Sequence, residues 1–304
     1  MSISAECGKI IPLKHESVRA LLSQYPGETN PKKLIRRLAR EKIAYAKAHG
    51  WNGPPFSPKI FASIFDIRCR EVDFDIGGEG RILPHPSGRP VIEYRKGRLH
   101  ERQRFTIFHE FAHTLFPDFC EYRRSLNHAS PKKPSDPEKE FENLCDVAAA
   151  EMLLPHEDFH DDLTKLKKLS FDAVHHLRQR YEASIDATTH RLVELADTVP
   201  CTAVFLTDQQ GDHSGRGPLW VKYSCYNSLF KGYIQPGVLP PQNSVALECF
   251  SGGKELTNSS RETWWINGKP RTWLAQAVKL PDVPENPDYA KVVVLLFPSG
   301  YGRG

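Results

Sequence analysis

Four residues is close to one turn of an α-helix, so the two histidines of RQRFTIFHEFAHTLF, residues 102–116, share one face if that segment is helical. This spacing constrains the fold more than any other feature of the chain. Pro117 supplies a stop for the helix, because proline disfavours helical backbone in the residue before it. Phe105, Phe108, Ala112 and Leu115 mark a second, apolar face that can pack the helix into a core. A site whose ligands must stay in place needs that rigidity.

On the first face, His109 and His113 can ligate one Zn2+ ion, while Glu110 projects beside them toward a water that the metal activates. The competing reading is a pair of core histidines with satisfied ring nitrogens. A third protein ligand has to come from another segment. FENLCDVAAAEMLLP, residues 141–155, reads as a helix whose small and apolar residues, among them Leu144, Cys145, Ala148 and Met152, suit close packing against the first. Glu142 and Asp146 lie four apart on it. Glu142 can bind the metal, and Asp146 can accept the outward ring hydrogen of a ligating histidine and fix its tautomer. Glu138, Glu140 and Glu151 are rival ligands, the first two read as preceding the rigid helix. An exposed acidic face near a helix start is the plainer account of the pair.

Together, RQRFTIFHEFAH (102–113) and ENLCDVAAAEMLLP (142–155) resemble two linked motifs of the ImmA/IrrE family of zinc metallopeptidases. The resemblance implies that His109 and His113 bind zinc, that Glu110 is the catalytic base and that Glu142 is the third ligand. It covers roughly the first half of the chain and is weaker beyond residue 200. The order of parts is similar to that of regulators in the family, which implies an α+β chain. Residues 1–157 would form a zincin-like peptidase domain, 158–198 a small helix-turn-helix-like bundle and 199–304 a C-terminal α/β GAF-like domain for sensing or substrate recognition. The implied activity is site-specific cleavage of a helix-turn-helix transcriptional repressor, which derepresses stress-response genes. In such chemistry Glu110 takes a proton from the attacking water and returns it to the leaving amine. His128, Tyr122 and Arg123 are candidates for an additional donor to the tetrahedral intermediate.

Elsewhere the sequence is less specific. Residues 32–48 read as a helix with seven positive side chains and one negative, either a phosphate-facing stripe or a solvated face. The formal net charge of +4 is too small to argue for a dedicated nucleic-acid binder. A short helix is expected through KIFASIF, a strand around REVDFDI, and a second strand over Val91–Tyr94. That second strand is either an unpaired edge for an extended substrate peptide or an internal strand of its sheet.

LSFDAVHHLRQRYEASIDATTHRLVELA holds two helix patterns around ASID, with Ser184 or Asp186 as cap. A helix-turn-helix there would bring His190 and Arg191 to DNA, a less favoured reading than a buttressing bundle. His175 and His176 are adjacent and make a poor metal pair. CTAVFLT, GPLWVKYSC, SVALECF, ETWWI and AKVVVLLF suggest an antiparallel sheet with few helices, with Trp264 and Trp265 divided between core and surface.

Seven scattered cysteines without a CxxC pair suit reduced thiols. With no membrane-spanning stretch and no secretory apolar run near the start, the expected location is the cytoplasm. The competing function is a non-proteolytic DNA-binding or signalling regulator with a structural metal site, which has no need of Glu110 as a base.

Overall fold

The computed structural model describes residues 15–73, 76–83, 88–119, 136–166, 168–208, 219–252, 256–281 and 290–298. They group into two compact units, Met1–Pro155 and His156–Gly304. The architecture is mixed α+β, with one sheet in each unit.

The first unit runs α1 (Glu16–Ser23), α2 (Pro31–Ala48), α3 (Pro58–Ile64), β1 (Arg68–Val72), β2 (Gly80–Leu83), β3 (Val91–Arg95), α4 (His100–Ala112) and α5 (Asp136–Leu153). Its sheet has the order β1-β3-β2, with β1 parallel and β2 antiparallel to β3. The strand at Val91–Tyr94 is therefore internal, hydrogen-bonded on both sides, and cannot offer an edge; β2 is an edge strand of the sheet. Behind α4, Trp51, Phe56, Phe61, Phe108 and Phe111 interlock, with ring centroids 4.6 Å apart for Trp51–Phe56 and 4.8 Å for Phe61–Phe111. Aromatic contacts of this kind are favourable beyond the area they bury. The buried Arg104 guanidinium donates to the Phe56 carbonyl at 2.8 Å, tying α4 to the same cluster.

Helix α2 starts where Asn30 accepts from the Lys33 amide, with Pro31 in the first turn. Four of its basic residues are engaged within the unit. Arg40 pairs with the buried Glu151 at 2.8 Å, while Arg37, Lys42 and Lys47 lie over the rings of Tyr25, Phe65 and Phe56. These partners match a packed helix with a solvated face better than a phosphate-binding stripe.

The second unit contains α6 (His156–Thr164), α7 (Phe171–Tyr181), α8 (Ile185–Leu195), β4 (Thr202–Thr207), β5 (Trp220–Tyr226), α9 (Val245–Gly252), β6 (Leu256–Ile266), β7 (Lys269–Lys279) and β8 (Val292–Pro298). The sheet is antiparallel throughout, in the order β5-β4-β8-β7-β6. Ser184 caps α8 by accepting from the Ala187 amide at 3.1 Å. Strands β4 and β8 bury nearly every residue, which explains their unbroken apolar runs: helices cover the sheet on both faces.

SVALECF, expected as a strand, forms α9 instead. Val245, Ala246 and Cys249 are its buried residues, a helical spacing, and the Ser244 hydroxyl accepts from the Leu247 amide at 3.4 Å. Trp264 is 1% exposed and Trp265 56%, so the adjacent indoles do divide between core and surface. His190 stacks on Phe205 with centroids 4.8 Å apart, and Arg191 is buried and paired with Glu194 at 2.9 Å, so both side chains are engaged within this unit. Among the described residues the five cysteines are free thiols, and no helix is long and apolar enough to cross a membrane.

Candidate metal centre

Helix α4 begins two residues earlier than expected and keeps α-helical form only to Ala112; His113–Leu115 tighten into a 3-10 turn before Pro117. The shortened last turn still leaves the histidines together, with ring centroids 5.1 Å apart. Ligand atoms of His109, Glu110 and His113 all lie within 4.8 Å of one another, the only such group of three among the described residues.

Helix α5 supplies the second wall. It starts at Asp136, five residues before the expected boundary, helped by Pro137 in the first turn and by the acidic residues that follow, which favour the positive end of the helix dipole. Glu138 and Glu140 are therefore on the helix and not ahead of it. Glu142 Oε2 stands 2.9 Å from His109 Nε2 and 3.8 Å from His113 Nε2, and Asp146 Oδ1 stands 2.9 Å from His109 Nδ1. Two of the rival carboxylates are engaged elsewhere: Glu140 accepts from the His15 backbone amide at 3.1 Å, and Glu151 holds Arg40. Glu142 is thus the α5 carboxylate set between the two imidazoles. His128, Tyr122 and Arg123 lie outside the described residues.

Burial disfavours a charged His109, but its hydrogen bonds with Asp146 and Glu142 and the nearby charges of Glu110 and Asp146 outweigh it, so the imidazole pKa is pushed up to about 10 in the metal-free protein. His15 is held below the ordinary histidine range by burial, opposed by Asp118, Glu138, Glu140 and Glu142. Its ring stacks on Phe141 at 4.6 Å, and Phe141 in turn packs against His113 at 5.2 Å, closing the site from the α1 side.

Two features of this neighbourhood, and one outside it, carry no mark in the sequence that ties them to the site. Cys145, assigned to packing, places Sγ 3.5 Å from His113 Nδ1. Gly80 is the first residue of β2, and a Cβ there would fall 2.4 Å from Thr106 Cγ2 and 3.0 Å from Glu110 Cγ. Its lack of a side chain is what lets the edge strand lie directly against Glu110. Gly80→Ala is accordingly expected to cost about 1–3 kcal/mol of stability through overpacking; an unchanged urea midpoint would show that the strand can move away freely.

The feature outside the site is a second HExxH pattern, His156-Glu157-Asp158-Phe159-His160, in the second unit. There Glu157 is exposed, and the two rings lie parallel with centroids 6.2 Å apart. His160 Nε2 is 3.3 Å from Asp197 Oδ2, but among the described residues no group of three ligand atoms converges there within 4.8 Å.

Residues 62–193 match the family model of the IrrE N-terminal-like domain, peptidase family M78, a stretch that includes α4 and α5. This stretch is ImmA/IrrE-like. Within the ImmA/IrrE-like match, both site helices carry the metallopeptidase-like pattern described above. A solved structure described as a Mycobacterium tuberculosis transcriptional regulator shares the fold, with a TM-score of 0.53 and 16% identity over 88% of this chain and 92% of that one. Comparison with curated proteins finds no match.

Proposed function

We propose that this ImmA/IrrE-like chain is a zinc-dependent, site-specific endopeptidase that cleaves a helix-turn-helix transcriptional repressor in the cytoplasm and so derepresses stress-response genes. The observation that carries the reading is the placement of a buried glutamate, Glu110, beside two imidazoles that share the Glu142 carboxylate.

The donor set fits zinc: two imidazole nitrogens and one carboxylate oxygen, drawn from two packed helices, are the ligand types of hydrolytic sites that keep a position open. His109, His113 and Glu142 would hold the ion, which when bound supplies Lewis-acid chemistry that polarises a carbonyl and eases deprotonation of water. Asp146 fixes the His109 ring through Nδ1. Glu110, 5% exposed and with Oε2 3.9 Å from His113 Nε2, takes the proton of the attacking water and delivers it to the departing amine. The β2 edge beside it gives an extended peptide main-chain partners, which sets the register of the scissile bond. Residues 158–198 are taken as a helix-turn-helix-like bundle, and residues 199–304 as a GAF-like domain for sensing or substrate recognition.

The test is incubation of the purified chain with candidate repressors, with the products read by mass spectrometry. Cleavage at one site is expected, lost with a zinc chelator and regained on adding zinc. The alternative, a non-proteolytic DNA-binding or signalling regulator, draws on the likeness to a protein described as a transcriptional regulator. It predicts a metal-loaded chain that leaves every repressor intact and binds DNA with a marked salt dependence.

A further inference from the structure

His109 of α4 and His113 of the 3-10 turn that follows it meet their outer partners on consecutive residues of α5. His109 Nδ1 faces the Asp146 carboxylate at 2.9 Å, and His113 Nδ1 faces the Cys145 sulfur at 3.5 Å. With Glu142 one turn earlier, three side chains of one helix address both rings. The chemistry of the two outer partners follows the wetness of their surroundings. Asp146 is half exposed, with 52% of its side chain accessible, where a charge stays solvated. Cys145 and His113 are 0% and 1% exposed, where an added carboxylate would lose its water. A thiol sulfur is a weak acceptor that carries no charge.

A neutral imidazole bears hydrogen on one nitrogen and a lone pair on the other. On the inner side of His113, Nε2 faces the carboxylates of Glu142 at 3.8 Å and Glu110 at 3.9 Å, where a metal ligand directs its lone pair. On the outer side, Nδ1 has sulfur within sulfur hydrogen-bond reach. We infer that Cys145 is a positioning residue for His113: its sulfur accepts the Nδ1 hydrogen, sets the rotation of the ring and leaves the Nε2 lone pair directed at the metal centre. The inference rests on the proposed ligand role of His113 but not on peptide cleavage, so the two can fail separately.

The experiment uses the full chain and zinc alone. Cys145→Val keeps an apolar group of similar size and removes the acceptor; Cys145→Ser keeps an acceptor in a smaller side chain. Zinc affinity is measured by competition with a chromophoric chelator, near-UV circular dichroism checks packing, and nitrogen-15 imidazole spectra of the metal-free wild type at mildly alkaline pH read the tautomer. Hydrogen on Nδ1 of His113 is expected, with affinity lowered about 10- to 100-fold in C145V and less in C145S. Hydrogen on Nε2 in the wild type, or a correctly packed C145V within about threefold of wild-type affinity, overturns the assignment. The wild-type spectrum decides the matter even if both variants fold poorly. Loss of affinity in C145V without any repressor cleavage would uphold the positioning role and remove the peptidase.

Discussion

Replacing Glu110 by Gln is expected to lower repressor cleavage by about 10²- to 10⁴-fold, the range for removing a positioned general base. The amide keeps the size of the buried side chain and its place against Gly80, so the packing survives while the group that accepts the proton is lost. Zinc affinity should stay within about an order of magnitude of wild type, because His109, His113 and Glu142 remain. Measurement pairs single-turnover cleavage with zinc competition. A variant that cleaves at the wild-type rate removes Glu110 from the chemistry; one that loses zinc as well moves Glu110 among the ligands, a role its closeness to both imidazoles would allow.

Zinc binding is expected to strengthen steeply with pH, about tenfold for each unit from mildly acidic conditions up toward pH 10. The sign follows from His109. Its pKa, pushed up to about 10 from the ordinary 6.5, leaves the ring protonated in the metal-free protein at neutral pH, and zinc must displace that proton. The same linkage makes the ring stabilise the metal-free fold fully below pH 6.5, with that contribution fading as pH rises from there through about 10. Asp146→Asn, which removes one of the groups raising the pKa, should move the steep region to lower pH. Competition titrations across pH, with calorimetry in buffers of different ionisation heat to count released protons, check this. An affinity independent of pH would mean that His109 is neutral in the metal-free site or lies outside the metal's reach.

Much of the first unit was legible because it depends on local spacing. Asn30 before Pro31, Ser57 before Pro58 and the apolar positions of α2 mark helices through contacts three or four residues apart. The misses share a cause. SVALECF holds too few residues to separate a helical period from a strand, and its burial as α9 is decided by the sheet beneath it. GGEGRIL carries turn residues and no alternating pattern, so β2 exists by pairing with β3, and Gly80 matters only because α4 passes behind it. Cys145 looked like any small buried residue until His113, 32 residues away, was placed beside it.

The HExxH spacing by itself put His109 and His113 on one side of a helix, and the Glu142–Asp146 spacing put two carboxylates on one side of another, since helical geometry repeats every few residues whatever surrounds it. The same spacing occurs again at 156–160, and the spacing alone does not tell the two patterns apart. Only the tertiary structure decided between them, by packing α5 against α4 so that Glu142 and Asp146 reach His109 across more than thirty residues of chain, while among the described residues the one converging group of three ligand types is His109, Glu110 and His113. Contacts at that separation arise from which apolar faces bury one another, and the repeat of a single helix does not name its partner.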